Sequence, residues 1–433
     1  MSENRIVKTA FIGLGARGVP TLKLLCSLEG VLVTAVCDKY EDRVQNGIDA
    51  VKEVAGNIPF GTQDYKEVLA REDVEAVVIC TDWNTHIPIA IAAMEAGKQT
   101  AMEVCGAYSI DECYDLVKAY ERTGIHCMFL ENGCYHEHRL ALYHMVKQGV
   151  FGELIHMEGA YAHDLRSEIG HGLENRHYRF RNFQRRDGDL YPTHDVGPIA
   201  KMLDINRGNR MVALSSFSSK ARGMHEYMVA NYGPDHEYAK INWNQGDVVT
   251  TMIKCANGET ICLLHDDSLP RVYSREFKVQ GTKGLYVDYG KWEDQRLFLE
   301  EDPAKPVEEV WRDFSAEFRD KYQHPLWRKV KRENMLGGAH GPIDELVLRA
   351  FIESVQRGIA PPIDTYDGAT WMALTALSEQ SVAMGGAVVP IPDFTRGQWI
   401  DREPAPRSIY ALDDICYELF DEQDVVPCKP YED

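Results

Sequence analysis

The sequence predicts an α/β protein in which a doubly wound parallel sheet comes first and an α+β domain with a largely antiparallel open sheet follows. Three observations predict it. Over about the first 130 residues, short apolar runs alternate with segments of helical periodicity, as in parallel sheets, whose strands are joined by helices. A glycine-rich loop directly follows the first apolar run. After about residue 135, several strand-like runs follow one another, as in antiparallel sheets.

The first domain, residues 1–135, opens with a strand at Val7–Ile12, a helix at Val19–Leu28 and a β-branched strand at Val31–Cys37. Periodicity and glycines at helix ends extend this alternation. Further strands are predicted at Val74–Cys80, Gln99–Met102 and His126–Leu130, and further helices at Arg43–Val54, Tyr65–Ala70, Pro88–Ala96 and Ile110–Thr123.

The second domain, residues 136–390, contains a predicted hairpin, in which two alternating strands flank the turn Ala256-Asn257-Gly258. Its predicted strands are Gly152–Ala162, Val248–Lys254, Glu259–His265, Glu276–Gln280 and Gly284–Tyr289, and its predicted helices are Ile343–Arg357 and Asp367–Ala383. Residues 391–433 are rich in proline and acidic residues and show no clear period, which predicts an irregular surface tail.

Composition and charge limit the class of protein. The chain has 433 residues, of which 44% are apolar and 26% charged, as in ordinary globular enzymes of two domains. A net charge of -20 disfavours nucleic acid and anionic membranes, since like charges repel. No apolar run reaches the length of a membrane span, and the N-terminus lacks the pattern of a signal peptide. We therefore expect a cytoplasmic enzyme.

The cysteines and histidines do not indicate a metal site. The eleven cysteines include no Cys-x-x-Cys pair, and several lie in apolar runs, which favours free cysteines that pack as small apolar residues. The fifteen histidines show no His-Glu-x-x-His spacing. We expect neither a disulfide framework nor a bound metal.

The glycine loop predicts a dinucleotide site. The pattern Gly-x-Gly-x-x-Gly follows a strand and opens a helix, and an acidic residue ends the second strand, which together are typical of a Rossmann domain. A carboxylate at that point accepts hydrogen bonds from ribose hydroxyls and repels a 2'-phosphate, so NAD is favoured over NADP. Arg17 is either a cofactor contact or a solvated side chain. The residues expected at the cofactor are Gly13, Gly15, Ala16, Arg17, Gly18 and Asp38.

Other residues carry groups that move protons. His194 is a candidate acceptor for a sugar hydroxyl proton because a neutral imidazole takes a proton near pH 7. Tyr161, at a predicted strand end, is a candidate base if a cation such as Arg179 stabilises its phenolate. Tyr191 is placed to hydrogen-bond cofactor or substrate, and Glu131 ends the last strand of the first domain. Each also has a structural interpretation, as a core tyrosine, a helix-capping histidine or part of a solvated basic face.

Several segments resemble a known superfamily. The stretch Thr81–His86 and the segment around Glu103 are similar to the glucose-fructose oxidoreductase/inositol dehydrogenase superfamily. Most members carry Glu-Lys-Pro where this chain has Glu103-Val104-Cys105. In the dehydrogenases that lysine helps to bind cofactor and to orient the hydroxyl, so its absence points to another branch.

That branch is glycoside hydrolase family 109, the NAD-dependent alpha-N-acetylgalactosaminidases, which most of residues 5–400 resemble. The similar segments are Leu130-Glu131-Asn132, Asn175–Arg179, Asp189–His194, Asn206–Gly208 and Pro270–Arg275. Two departures are Asp195, where a small residue is expected, and the segment Gly337–Gly341, which interrupts an expected Gly-Gly-His-Gly.

The resemblance implies the roles of the residues. It places Trp83, Asn84, Thr85, His86, Glu103, Val104, Asn132, Arg179 and Tyr191 at the cofactor, and Tyr161, Tyr191, Pro192, Thr193, His194 and Tyr273 at the substrate, with Tyr161, Arg179, Tyr191, His194 and Glu131 as catalytic residues.

The resemblance also implies the reaction. The sugar is oxidised at C3 by bound NAD⁺, loses its C2 proton and its aglycone, adds water, and is reduced again, unlike in glycosidases that use two carboxylates. A homo-oligomer, dimer or tetramer, is implied as well. Two alternatives stay open, a sugar or inositol dehydrogenase with net NADH production and a non-enzymatic NAD sensor, and the sugar and its anomer are undetermined.

Overall fold

The chain forms two compact units. The computed structural model describes residues 5–289, 295–301, 304, 311–314, 320–333 and 335–425. The first unit comprises residues 1–140, 324–370 and 403–427, and the second comprises residues 141–323, 371–402 and 428–433. The expected linear boundaries at 135 and 390 place the two sheets in separate segments. They do not assign the returning segments 324–370 and 403–427 to the first unit, because those contacts are distant in sequence.

The first unit contains a six-stranded parallel sheet in the order β3-β2-β1-β4-β5-β6. Its strands are β1 (Val7–Ile12), β2 (Val31–Cys37), β3 (Phe60–Thr62), β4 (Ala76–Ile79), β5 (Gln99–Met102) and β6 (Cys127–Phe129). The helices between them are α1 (Gly18–Cys26), α2 (Glu41–Ala55), α3 (Tyr65–Leu69), α4 (Trp83–Glu95) and α5 (Ile110–Thr123). The predicted doubly wound parallel sheet is therefore confirmed.

Local signals explain most of these bounds. Strand β4 is buried at every position, as expected for a central parallel strand covered on both faces. Helix α5 begins at a capping box formed by Ser109 and Glu112 and ends at Gly124 in the left-handed conformation. Two predictions were wrong in detail. The short β3 was missed. Helix α4 begins at Trp83, five residues before the predicted start at Pro88, and this proline lies inside the helix.

The second unit contains a mixed, largely antiparallel sheet, whose described strands run in the order β14-β13-β12-β11-β7-β10-β9-β8-β15. These are β7 (Leu154–Ala162), β8 (Met211–Ser218), β9 (Val249–Cys255), β10 (Thr260–Asp266), β11 (Lys278–Gly281), β12 (Gly284–Val287), β13 (Arg296–Leu299), β14 (Arg312–Asp313) and β15 (Val389–Pro390). One pair, β7 with β10, is parallel. The predicted hairpin is β9 and β10.

One face of this sheet is covered and the other is open. Strand β9 alternates between buried and exposed residues along its whole length, as a half-buried strand should. On the covered face, Tyr161 of β7 is the register partner of His265 of β10. On the open face, Phe217 of β8 and Met252 of β9 are large apolar residues exposed to solvent. Strands β8, β13, β14 and β15 were missed, since serine-rich or very short strands carry little periodic signal.

The remaining helices of the described chain are α6 (Glu137–Lys147), α7 (Arg166–Gly170), α8 (Arg179–Arg185), α9 (Thr193–Met202), α10 (Gly223–Tyr232), α11 (Pro325–Glu333), α12 (Pro342–Arg357) and α13 (Thr365–Ala383). Helix α9 packs against β7, and α12 and α13 were predicted from their periodicity. In residues 391–425 the only helices are two short 3-10 turns, Gln398–Ile400 and Tyr417–Leu419. Within the described residues, no helix combines the length and apolar character needed to cross a bilayer.

Candidate active site

The loop between β1 and α1 requires glycine at two positions. Gly13 has a φ of +102°, and a Cβ there would lie 2.2 Å from the carbonyl oxygen of Cys80. A Cβ on Gly18 would lie 2.0 Å from the carbonyl oxygen of Gly13. At Gly15 the nearest atom would be 3.4 Å away, at the tip of Arg43. The first and third glycines therefore serve the fold, whereas the second leaves the backbone open to a ligand.

Asp38 fastens the end of β2 to this loop. One carboxylate oxygen accepts a hydrogen bond from the Leu14 amide at 2.7 Å, and the other accepts from the Tyr40 amide at 3.0 Å. The Arg43 guanidinium lies 3.9 Å from the same carboxylate. Each carboxylate oxygen keeps lone-pair capacity for a ribose hydroxyl. The loop and Asp38 thus fit the ribose and pyrophosphate of NAD.

Arg17 is not a solvated loop side chain. Its side chain is 28% exposed, and its Nε lies 2.9 Å from a Glu103 oxygen. Its two terminal nitrogens each donate to one oxygen of Asp344, at 2.8 Å. Asn132 donates to Asp344 at 2.7 Å. Four residues from the loop after β1, the end of β5, the turn after β6 and the start of α12 thus form one network.

Asp344 and Arg17 both stay charged within this network. Burial by itself would raise the pKa of Asp344, but hydrogen bonds from Arg17 and His340 outweigh it and hold that pKa well below its usual range. Burial would lower the pKa of Arg17, and the charges of Glu103 and Asp344 raise it instead. Asp344 was not among the site residues predicted from the sequence. Its only signal is its place in the first turn of a predicted helix.

The first turn of α4 is mostly packed rather than open. Trp83 and His86 are buried, Thr85 is half-buried, and Asn84 is exposed. Burial lowers the pKa of His86 to about 4, so this imidazole is neutral at pH 7. The Thr85 hydroxyl donates to the Asp82 carboxylate at 2.8 Å. Val104 is buried and Ala16 is exposed. Their contacts with cofactor stay predictions.

In the second unit, four of the predicted catalytic residues come together. The ring centroid of Tyr161 lies 4.6 Å from that of Tyr191 and 5.7 Å from that of His194. The Arg179 guanidinium lies 4.9 Å from the Tyr191 ring centre and 5.9 Å from that of Tyr161. Strand β7 supplies Tyr161, α8 supplies Arg179, and Tyr191 and His194 flank the start of α9. We call these four residues the Tyr161 cluster.

Two carboxylates hold Arg179. Its Nε lies 2.7 Å from Glu168, and a terminal nitrogen lies 3.6 Å from Asp267, which is fully buried. Asp267 also lies 3.3 Å from His265. Burial would lower the pKa of His265, but the nearby Asp267 and Asp189 carboxylates raise it. The sequence offered no periodic signal for this arrangement, since Glu168 and Asp267 lie about a hundred residues apart.

Burial also controls the phenol of Tyr161. Burial raises its pKa, and the positive charge of Arg179 opposes that shift. Burial lowers the pKa of His163, whose ring centroid lies 6.0 Å from that of Tyr161. The cluster, with His163 beside it, therefore has the parts of a proton-transfer site: buried phenols, two imidazoles and a cation.

The other predicted residues are less central to this cluster. Thr193 is fully buried, and Pro192 is buried at the start of α9. The Tyr273 side chain is 46% exposed, and its hydroxyl accepts a hydrogen bond from Arg275 at 2.6 Å. Glu131 belongs to the first unit, where it accepts a hydrogen bond from the Gly133 amide at 2.8 Å and caps a short 3-10 helix. A catalytic role for Glu131 stays a prediction.

Two family models match successive parts of the chain. Residues 7–130 match the family described as "Oxidoreductase family, NAD-binding Rossmann fold", and residues 135–401 match "Glycosyl hydrolase 109, C-terminal domain". The chain is 38% identical to an alpha-N-acetylgalactosaminidase of Tannerella forsythia, over 92% of this chain and 88% of the relative. It is 37% identical to one of Shewanella oneidensis, over 92% and 87%.

Solved structures share the fold at low identity. An oxidoreductase domain protein from Kribbella flavida superposes with a TM-score of 0.67 at 17% identity, over 90% of this chain and 100% of that one. A levoglucosan dehydrogenase in complex with NADH and levoglucosan gives a TM-score of 0.64 at 19% identity, with the same coverage. These likenesses concern the fold alone.

The fold and the glycine loop define an NAD-binding enzyme on an oxidoreductase-type fold. Within that class, the chain belongs to glycosyl hydrolase family 109 and is an NAD-dependent glycoside hydrolase. The resemblance drawn from the sequence and the choice of NAD as cofactor are confirmed.

Proposed function

We propose that this enzyme cleaves alpha-N-acetylgalactosaminides, the activity named for its relatives from Tannerella forsythia and Shewanella oneidensis. The observation that carries the mechanism is the Tyr161 cluster, in which a buried phenol lies beside a guanidinium and an imidazole. The two-carboxylate arrangement of other glycosidases is not needed here, because the proton that must be removed is on carbon.

The first unit is the proposed holder of the cofactor. Gly15 and the amino end of α1 receive the pyrophosphate, and Asp38 receives the ribose hydroxyls. Arg17, Glu103 and Asp344 keep the loop in place. When bound, NAD supplies reversible hydride transfer, which converts a sugar hydroxyl to a ketone and back.

The Tyr161 cluster is the proposed proton-transfer site. A ketone at C3 acidifies the hydrogen on C2. Tyr161, as a phenolate favoured by Arg179, accepts that proton, the C2 electron pair forms the C1=C2 bond, and the aglycone leaves from C1 with the C1–O electrons. Water then adds at C1, the proton that it releases neutralises the aglycone anion, and Tyr161 returns its proton to C2. His194 accepts the proton of the C3 hydroxyl and later returns it.

The test is a screen of aryl glycosides with the purified protein in deuterated water. The proposal predicts release of the aglycone, no accumulation of NADH, and deuterium at C2 of the released sugar. The alternative, a sugar or inositol dehydrogenase, predicts accumulating NADH with free sugar and no aglycone. That result would exclude the glycosidase mechanism. A comparison of N-acetylgalactosaminides with galactosides and glucosides tests the sugar, and paired anomers test the configuration.

We also propose that the chain forms a homo-oligomer through the open face of the second sheet. Phe217 and Met252 are exposed on that face, and Leu264 and Leu285 are half-buried. Water-exposed apolar groups of this size favour association. Size-exclusion chromatography with light scattering tests this proposal. A dimer or tetramer is expected for the wild type, and the double variant Phe217→Asp, Met252→Lys should be a monomer. The cytoplasmic location stays a prediction, tested by cell fractionation.

A further inference from the structure

Asp195 and Arg275 form a partly buried contact beside Tyr161. Asp195 lies in the first turn of α9 and is buried, and its Oδ1 lies 3.3 Å from a terminal nitrogen of Arg275. The Arg275 guanidinium lies 5.0 Å from the ring centre of Tyr161, closer than that of Arg179. Its Nε donates to the Tyr273 hydroxyl at 2.6 Å. Arg275 thus joins the phenols of Tyr161 and Tyr273.

The backbone places these groups with little freedom. The Ala160 amide donates to the Arg275 carbonyl at 2.6 Å, and Ser274 and Ala162 exchange hydrogen bonds, so the segment carrying Arg275 is paired to β7. On the same strand, a Cβ at Gly159 would lie 3.0 Å from the Cβ of Asp195. The missing side chain at Gly159 lets α9 approach closely enough for the carboxylate to reach Arg275.

We propose that Asp195 is a positioning residue that holds the Arg275 guanidinium against Tyr161 and Tyr273, so that Arg275, with Arg179, supplies the positive charge that a Tyr161 phenolate requires. The inference rests on the proposed function, since it concerns the residue that moves the C2 proton. The sequence resemblance places a small residue at position 195, where this chain carries a carboxylate.

The groups around Tyr161 determine whether loss of Arg275 raises or lowers the pKa of Tyr161. Four titratable rings face it, those of His163, Tyr191, His194 and His265. Burial raises the pKa of Tyr161, and the other groups that act on this pKa are Arg179, Asp267, Arg275 and the phenol of Tyr273. Both arginines favour the phenolate, and Asp267 disfavours it. Loss or displacement of Arg275 therefore makes Tyr161 harder to ionise.

The first experiment measures Tyr161 without turnover. Tyrosinate absorbance is titrated in the wild type and in Tyr161→Phe, and the difference isolates Tyr161. The same pair is measured on an Arg275→Gln background and on an Asp195→Asn background. The expected result is an upward shift of the midpoint by about 1 pH unit or more for Arg275→Gln, and a smaller shift in the same direction for Asp195→Asn.

A matched control is Lys278→Gln. Lys278 of β11 pairs with Glu158 of β7 at 2.7 Å, on the opposite face of the same sheet. This variant removes a cation near the same strand but not beside Tyr161, and should leave the midpoint unchanged. Circular dichroism and melting temperature identify any variant that does not fold, and Arg275→Lys, which keeps the charge, supplies a second test with a smaller shift.

Three results would overturn the proposal. An unchanged midpoint in Arg275→Gln means that Arg275 does not act on Tyr161. A downward shift in Asp195→Asn means that Asp195 neutralises Arg275 rather than positioning it. Absence of a Tyr161 tyrosinate signal below the pH of unfolding means that the phenolate is not formed. Since none of these needs a substrate, they are separate from failure of the glycoside screen.

If the enzyme cleaves glycosides, the shift in the Tyr161 midpoint should also appear in the pH dependence of kcat. The pH at which kcat rises should move upward in Arg275→Gln by the shift of the titration, with kcat at pH 7 reduced about tenfold for each pH unit. A loss of kcat that is equal at every pH would indicate a merely structural role and would also contradict the proposal.

Discussion

Arg17 and Asp344 form a two-bond ion pair across 327 residues of sequence, with both nitrogen–oxygen distances at 2.8 Å. The pair joins the glycine loop to the first turn of α12. It shows why segment 324–370 belongs to the first unit: a helix that follows strands β7–β14 in the chain holds the loop proposed to bind NAD.

Arg17→Gln should lower both stability and affinity for NAD. It leaves the nearly buried Asp344 carboxylate without its cation, so we expect a loss of about 1–3 kcal/mol in the free energy of unfolding. NAD binding should weaken about tenfold, about 1.4 kcal/mol, since the loop is less restrained. Denaturant melts and calorimetric titration with NAD measure the two effects.

The control Arg71→Gln breaks a more exposed pair with Asp73 and should cost about 1 kcal/mol or less, without a change in NAD affinity. Equal effects of the two variants would contradict this role for Arg17.

Gly15→Ala and Gly18→Ala should separate binding from folding. A Cβ at Gly18 would meet the Gly13 carbonyl oxygen at 2.0 Å, whereas one at Gly15 would meet only the movable tip of Arg43. We expect Gly18→Ala to cost about 3 kcal/mol or more, and Gly15→Ala to melt as the wild type does but bind NAD about tenfold more weakly or worse. Normal NAD affinity in Gly15→Ala would show that the pyrophosphate does not approach this backbone.

Tyr161→Phe should reduce kcat by a factor of about 10²–10⁴ while leaving the fold intact. The phenyl ring keeps the packing of Tyr161 with Tyr191 and His194, so only the hydroxyl is lost. The rate of deuterium exchange at C2 should fall by the same factor as aglycone release. The matched variant Tyr232→Phe removes a hydroxyl that is bonded to His171 at 2.7 Å in the same unit, and should leave kcat unchanged. Retained exchange in Tyr161→Phe would assign the base to another group.

Asp189→Asn should change how stability depends on pH. Burial raises the pKa of Asp189 to about 6 in the folded protein, against about 3.9 in the unfolded chain. The folded protein thus binds more protons between these values, and its stability falls as the pH rises from about 4 to about 6. At 1.36 kcal/mol per unit this amounts to about 3 kcal/mol. The variant should lack this decrease. Melting temperatures of both proteins at pH 4.5 and 7.5 measure it, and parallel curves would contradict the assignment.

Much of the first unit could be predicted from sequence because its signals are local. Strands β1, β2 and β5 and helix α5 have the predicted bounds, since continuous apolar runs, a capping box and terminal glycines act within a few residues. The Tyr161 cluster was also named in advance, but through resemblance to a family rather than from spacing. Serine-rich β8 and the two-residue strands β14 and β15 left no periodic signal, so they were missed.

The sequence by itself determined the two kinds of sheet, the glycine loop with Asp38, and the cofactor, because each is encoded in consecutive residues whose conformations are set by local sterics and hydrogen bonds. Only the tertiary structure decided that Arg17 pairs with Asp344, that Glu168 and Asp267 hold Arg179, and that Asp195 reaches Arg275 past Gly159. These contacts join residues 11 to 327 positions apart, and the free energy that selects them comes from burial and charge pairing after the chain has folded.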